Sequence, residues 1–482
     1  MTNRAEPTAP PARPAADGFA AAVADLAGRV AGPVFRPGEE GYDSERSGFQ
    51  TGLRHEPAVI VGARGAADVR AAVAFAVAQG LPVGVQATGH GLPAAAADGV
   101  LISTRRMTGV RVDARNRTVR FEAGVRWEQI VPEAAGHGLA PLSGSAPHVG
   151  AVSYTLGGGL GLLSRRFGYA ADHVRRIEVV TADARLRTVT PDQEPDLFWA
   201  LRGGAANFGV VTAMEVDLFP VSRVYGGRLV FDAPLPEDVL GAYARWTRTV
   251  PEELSSSVGL LAFPDDPEVP EPFRGRYTAH VRIAYTGDPA EGERLVAPLR
   301  ALGPRLLDDL RDMPYSESHT IYTDPTRPHP YRGDNALLRE LDAGQLREVL
   351  ALTGPGARIR CVLQVRHLGG ALGRPPAVPN AVGHRDARYL LSALAIPGEG
   401  GVAELRAVQR QVFRAVAPAT VGRSLNFLYG VGGPDDAEPG DGAGAAARGL
   451  YEPADLRRLT ELKERYDPAG TFRLTYRVPP AG

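Results

Sequence analysis

Hydrophobic positions along the chain switch between two periods, and the switches predict the elements. Ala58-Val59-Ile60-Val61 is a short apolar, β-branched run closed by Gly62, which predicts a strand. Over residues 67–79 the apolar positions Val69, Val73, Ala76 and Val77 fall on one helical face, and Gly80 supplies a C-terminal stop. Leu81-Pro82-Val83-Gly84-Val85 predicts a second strand. It runs directly into a glycine-rich turn, Gln86-Ala87-Thr88-Gly89-His90-Gly91. Further strands are predicted over 99–102, 110–113 and 118–123, and a helix over 127–137. A second glycine-rich region covers 144–161. Beyond it, strands over 174–181 and 186–190 form a hairpin around Ala182-Asp183-Ala184, followed by a helix over 196–201 and a strand over 208–219.

The pattern changes near Pro220, where the glycine-rich loops stop. Between about 221 and 430, strands such as 277–285 and 360–367 alternate with helices such as 291–302. This predicts a second α+β domain with an antiparallel sheet. Residues 1–30 read as a flexible tail leading into a short helix, 31–220 as the first domain, and 221–430 as the second. Within 431–482 the Gly, Ala and Asp richness of 434–449 predicts a mobile loop. A helix over 453–466 and Asp467-Pro468-Ala469-Gly470-Thr471-Phe472 then close the chain.

Composition narrows the classes. At 482 residues the chain exceeds what one hydrophobic core supports, so more than one domain is expected. A formal net charge of −1 without a basic stripe argues against a nucleic-acid partner. Lys463 is the only lysine, which excludes a Walker A loop and leaves no credible Schiff-base lysine. Cys361 is the only cysteine, which excludes an intrachain disulfide and a cysteine zinc site; no metal site is expected. Residues 1–17 lack the basic start and apolar run of a signal peptide, and no apolar stretch is long enough to span a bilayer. A cytoplasmic monomer or homodimer without a membrane partner is the expectation.

The two glycine-rich loops bring backbone close to something anionic or planar, because glycine lacks Cβ and reaches positive φ. Gly157-Gly158-Gly159-Leu160-Gly161 fails the dinucleotide fingerprint, since Leu162 stands where the third glycine belongs. Neither an H-E-x-x-H helix nor a G-x-S-x-G elbow occurs. Taken together, Pro57 to Val61, 81–91, Val149-Gly150, Leu156 to Gly159, Gly168-Tyr169-Ala170-Ala171-Asp172-His173, 196–204, Asn207 to Thr212 and Tyr466-Asp467-Pro468 resemble the berberine-bridge-enzyme-like oxidases. These belong to the vanillyl-alcohol-oxidase, or p-cresol methylhydroxylase, superfamily.

The resemblance implies an α+β flavoprotein, with a two-part FAD-binding domain at 31–220 and a substrate domain at 221–430. The segment 431–482 is expected to return to the FAD domain. Gln86, Ala87, Thr88, Gly89, His90, Gly91 and Leu92, with Gly144, Ser145, Ala146, His148, Val149 and Gly150, are implied to cradle FAD. Gly157, Gly158, Gly159, Gly209, Val211, Asn426 and Phe427 are implied to complete the cofactor site. His90 stands where the family's histidine bonds to the flavin 8α-methyl carbon. Many members add a thioether from a cysteine in G-x-C-x-x-V-G. Here Gly144-Ser145-Ala146-Pro147-His148-Val149-Gly150 carries Ala146 at that place, so a monocovalent flavin is expected.

Members that oxidise alcohols often have a tyrosine after an asparagine late in the substrate domain. In Ser424-Leu425-Asn426-Phe427-Leu428-Tyr429 that place holds Phe427, and a shift of two residues would bring in Tyr429. Strand alternation puts Cys361, Leu363 and Val365 on one face and Gln364 and Arg366 on the other. Likewise Val281 and Ile283 oppose His280 and Arg282. Tyr154, Tyr322, Tyr429, Gln364 and Arg366 are the catalytic candidates, with His319 a further pocket candidate. The implied reaction is hydride transfer from a small organic substrate to flavin N5, with O₂ as acceptor, as a tailoring step in secondary metabolism. A covalent flavin used for cyclisation or rearrangement, and a non-catalytic flavin-binding protein, are the alternatives.

Overall fold

The computed structural model describes residues 16–93, 95–232, 236–398, 400–431 and 449–479. The apolar run at 58–61 becomes the strand Val59–Gly62, buried at every position because its sheet is covered on both faces. It pairs in parallel with Val100–Ser103, which pairs in parallel with Val83–Gln86; the short strand Val34–Phe35 closes the other edge antiparallel. The helix Ala66–Ala78 covers one face with Val69, Val73 and Ala76. An antiparallel sheet of five strands follows, in the order Val110–Asp113, Thr118–Glu122, Val210–Asp217, Val174–Val180, Leu186–Val189. Both sheets drain into one continuous core that includes Val61, Val73, Phe121, Trp127, Phe198 and Phe208.

The second half builds a nine-stranded antiparallel sheet with its own core. Its centre is Tyr277–Tyr285, Leu254–Ala262, Cys361–His367 and Tyr389–Ala395, side by side in that order. One face buries Val281, Ile283, Leu363, Val365 and Leu391 against the helices Pro236–Trp246, Pro289–Arg300, Ala343–Thr353 and Gly401–Ala415. Period-two alternation therefore turns His280, Arg282, Gln364, Arg366 and Ser392 to the opposite face, towards the glycine-rich loops.

The short helix expected within residues 1–30 is Ala16–Arg29, with Val23 and Leu26 in the first core. Residues 434–448 of the expected mobile loop lie outside the described residues. Among the described residues no helix is long and apolar enough to cross a membrane.

The C-terminal helix Pro453–Tyr466 places Leu459 and Leu462 in the first core, and Phe472, Tyr476 and Val478 follow them. Lys463 fastens this return. Its buried ammonium donates to Asn207 O at 2.6 Å, Asp467 Oδ2 at 2.7 Å and Phe472 O at 2.9 Å, so all three protons are used. Asp467 also accepts from the backbone N–H groups of Thr471 and Phe472. Replacing Lys463 by methionine strands a buried carboxylate and two carbonyls. The expected loss is about 3–5 kcal/mol of stability, read by urea unfolding; an unchanged midpoint would show that other donors reach these acceptors.

Candidate functional site

The turn after strand Val83–Gln86 is held by its carbonyls. Thr88 O and Gly89 O accept from Phe49 and Gln50 N–H at 2.9 and 3.0 Å, and Leu92 O accepts from Gly430 N–H at 2.8 Å. Tyr331 Oη donates to His90 O at 2.7 Å. The N–H groups of Thr88, Gly89, His90 and Gly91 make no hydrogen bond among the described residues. Gly89 makes this arrangement possible: its φ is +71°, and a Cβ there would lie 2.7 Å from Gly48 Cα. Successive unpartnered N–H groups form a cradle for an anion.

The cradle opens into a cavity of about 1270 Å³. Its walls include Gln86 to Leu92, Gly144, Ser145, Ala146, His148 and Val149 on one side. Across from them stand His280, Arg282, Gln364, Arg366 and Ser392 of the nine-stranded sheet, with Tyr322, Asn426, Phe427 and Tyr429. A cavity this long, with a phosphate cradle at one end and a polar sheet at the other, fits FAD in size and donor chemistry. Buried polar atoms left without partners, Gln86 Oε1 and His90 Nε2, lie in the same wall.

His90 stacks on Phe49, with ring centroids 4.1 Å apart and planes 13° off parallel, and lies 4.9 Å from the His148 ring. Its Nδ1 shares a hydrogen bond with Thr88 Oγ1 at 2.8 Å, which orients the ring. Burial, reinforced by His148, Arg126 and His329, lowers its pKa to about 3, so the imidazole is neutral at physiological pH. Ala146 brings no sulfur to this wall, and Cys361 lies on the helix-covered face of its strand with its thiol pushed up to about 11 by burial.

Three tyrosines of the candidate set differ in setting. Tyr154 is packed edge-on to Trp127 and against Gly144 and Gly159. Its hydroxyl has no partner and burial drives its pKa far up. Burial lifts Tyr429 to about 12, and its ring stands edge-on to Tyr331. Tyr322 Oη sits 2.7 Å from Ser257 Oγ and accepts from Arg366 Nη1 at 3.2 Å. The guanidinium carbons of Arg282 and Arg366 each lie 4.9 Å from its ring centre, and Arg366 also lies 4.9 Å from the Phe427 ring.

Several residues expected at the cofactor lie elsewhere. Gly157, Gly158 and Gly159 do not reach the cavity wall; they wrap the Asn426 side chain, which accepts from Gly159 N–H and donates to Tyr154 O, both at 2.9 Å. Gly209 and Val211 are buried against strand Val174–Val180, where a Cβ on Gly209 would lie 2.5 Å from Val180 O. Gly150 stands behind the wall as the N-cap of helix Ala151–Leu156, its N–H on Thr88 Oγ1 at 3.4 Å. His319 is exposed and bonds only locally to Ser316 O, so it lines no pocket. In each case glycine or histidine serves close packing or a turn, a role that residue type alone does not separate from ligand contact. Conversely, Phe49 and Tyr331 were not legible as site residues. Tyr331 meets His90 across 241 residues, and no local spacing signals that contact.

A cradle for an anion, beside a neutral histidine and facing a polar sheet, suits a phosphorylated cofactor such as a flavin dinucleotide. Residues 57–190 match the family model described as an FAD binding domain. The chain is 28% identical to (R)-6-hydroxynicotine oxidase of Paenarthrobacter nicotinovorans, over 94% of this chain and 98% of that protein. It is similar to the crystal structure of 6-hydroxy-D-nicotine oxidase from Arthrobacter nicotinovorans, with TM-score 0.78, 25% identity, and 94% and 98% of the two chains covered. It shares the fold of a berberine-bridge-enzyme-like protein of Physcomitrella patens, with TM-score 0.80, 17% identity, and 95% and 99% covered. The chain carries an FAD binding domain and is an FAD-linked oxidoreductase, with (R)-6-hydroxynicotine oxidase among its relatives.

Two buried histidines set an acid limit on this architecture. His280, in the cavity wall, is held down to about 3 by burial and by Arg282 and Arg228; His367, beside Arg165, is held to about 2 by burial and by Arg165 and Arg388. Above the ordinary value of 6.5 both are neutral in the folded and unfolded chain. As pH falls below it, only the unfolded chain takes up these protons, so stability is full above that value and declines towards pH 3. The expected slope is roughly 1.4 kcal/mol per pH unit per histidine. Urea unfolding from pH 7.5 to 4.5 measures it, and His280→Gln should make the decline shallower.

Proposed function

We propose that this cavity is the active site of an oxidase that carries FAD through a single bond to His90 and oxidises a small organic substrate with O₂ as acceptor. The observation that carries the reading is the position of His90. A neutral imidazole with one buried, unpartnered nitrogen stands at the mouth of an N–H cradle, within the cavity wall. FAD, when bound, supplies a hydride acceptor that returns its electrons to O₂ as hydrogen peroxide.

The chain's own residues then have distinct tasks. The N–H groups of Thr88 to Gly91 bind phosphate oxygens, and Phe49 and Thr88 fix the imidazole so that its free lone pair can attack an electrophilic carbon. The family's second tether has no counterpart at Ala146. For the proton released on substrate oxidation, Tyr322 is the favoured acceptor. To accept it Tyr322 must stand as the phenolate, and Arg366 Nη1, which donates to that oxygen, is the group that stabilises the anion, with Ser257 Oγ 2.7 Å away. Phe427 cannot take a proton, and Tyr154 and Tyr429 sit where burial opposes losing one. Gln364 and Arg366 project from the sheet into the cavity, where they orient substrate.

After acid precipitation, flavin is expected to stay with the wild-type pellet and map to the His90 peptide, and to leave with the supernatant for His90→Ala. Flavin released from both would refute the tether. On an accepted substrate, Tyr322→Phe is expected to lower kcat by about 10²–10⁴-fold at unchanged flavin content, with peroxide formed in step with product. Wild-type turnover would exclude Tyr322 as the base.

A further inference from the structure

Arg282 is only 7% exposed, yet it lines the cavity. Its Nε and Nη1 are buried without a hydrogen-bond partner, and it forms no ion pair among the described residues. Arg366, in the same wall, spends Nη1 on the Tyr322 hydroxyl, while its Nε is buried and unpartnered. Ser257 stands opposite both residues in the sheet register, so the two guanidiniums rise from one row across three adjacent strands. At about 4.8 Å per strand their Cα atoms lie roughly 10 Å apart, and each guanidinium carbon lies 4.9 Å from the Tyr322 ring centre.

The other charged groups facing this row are Arg228 and Asp324. Arg228 is already bound to Asp309 and Thr323, and Asp324 reaches neither Arg282 nor Arg366 as an ion pair. A single phenolate at Tyr322 would answer Arg366 and still leave Arg282 without an acceptor. Behind the row is a void of 20 Å³, room for about one water, and one water accepts at most two of the three N–H bonds on Arg282 Nε and Nη1. A buried cation without a counter-charge is costly, and the cheapest remedy is an occupant that brings the charge.

The cavity also has a direction. One row outwards lie His280, Gly259, Gln364 and Ser392. Beyond them Phe263 and Phe273 stack at 5.5 Å, beside Leu261 and Ile396. Phe263 is six residues from Ser257 along the chain, roughly 20 Å at strand rise. The deep end therefore carries two buried guanidiniums, and the outer end combines the aromatic pair and apolar side chains with Arg358 and Arg360.

We propose that the cavity selects an amphipathic carboxylate, its carboxylate held between Arg282 and Arg366 and its apolar body extended towards Phe263 and Phe273. This deepens the oxidase reading above and rests on it for the statement that the bound carboxylate is the substrate.

The test compares 4-phenylbutanoate with 4-phenylbutanamide on the holoenzyme, by flavin absorbance and by calorimetry on the same samples. The carboxylate is expected to bind at least about tenfold tighter than the amide. Arg282→Gln and Arg366→Gln should each weaken it about 10- to 100-fold, with amide affinity unchanged and Arg282→Lys restoring part of the loss. Should Arg282→Gln not fold, Arg282→Lys and Arg366→Gln carry the comparison. Equal affinities for acid and amide would overturn the proposal. So would an Arg282→Gln enzyme that keeps carboxylate affinity but loses sulfite addition at the flavin, which would assign the guanidinium to the cofactor. Colourless protein that still binds the carboxylate tightly by calorimetry would keep the anion site and refute the flavin reading instead.

Discussion

The site depends on which way one turn faces. In the turn after Gln86 the carbonyls of Thr88, Gly89, His90 and Leu92 accept from Phe49, Gln50, Tyr331 and Gly430, and the N–H groups of Thr88 to Gly91 are left to the cavity. That division requires the turn to lie flat against Gly48, which a side chain at residue 89 would prevent. Because the donors are set before any ligand arrives, binding an anion there needs little reorganisation. The same carbonyl contacts hold His90 against Phe49 and beside His148, so cradle and imidazole are held together.

The opposite wall obeys a second constraint, the two-residue period of a strand. The nine-stranded sheet must bury one face on helices, and it does so with Val281, Ile283, Leu363, Val365 and Leu391. Every residue between them is then committed to the cavity side. This puts Arg282 and Arg366 in one row and brings Tyr322, from a separate segment, against both. The outer end of the cavity keeps the stacked pair Phe263 and Phe273 together with Arg358 and Arg360.

The two walls belong to different cores, and chain segments far apart in sequence lock them together. Asn426 reaches from beyond the nine-stranded sheet into the Gly157–Gly159 turn, and Tyr331 reaches His90. Lys463 ties the last helix to Asn207 and Phe472 in the first core. The glycines at 157, 158 and 159 therefore serve this locking, by giving Asn426 room.

The sequence by itself determined the strands, the helices and the faces of the sheet, because hydrophobic period is a local property that each segment carries alone. It also determined the chemistry available: His90 in a glycine turn, Ala146 where a cysteine would be needed, Phe427 where a tyrosine would be needed. The placement of Gly209, Val211 and His319 away from the cavity was decided by packing. So were the contacts of Tyr322 with two arginines and those of Phe49 and Tyr331 with His90. These are pairings between distant segments, and glycine, tyrosine and histidine look the same in sequence whether they meet a ligand or a neighbouring strand. Only closure of two cores around one cavity separates those cases.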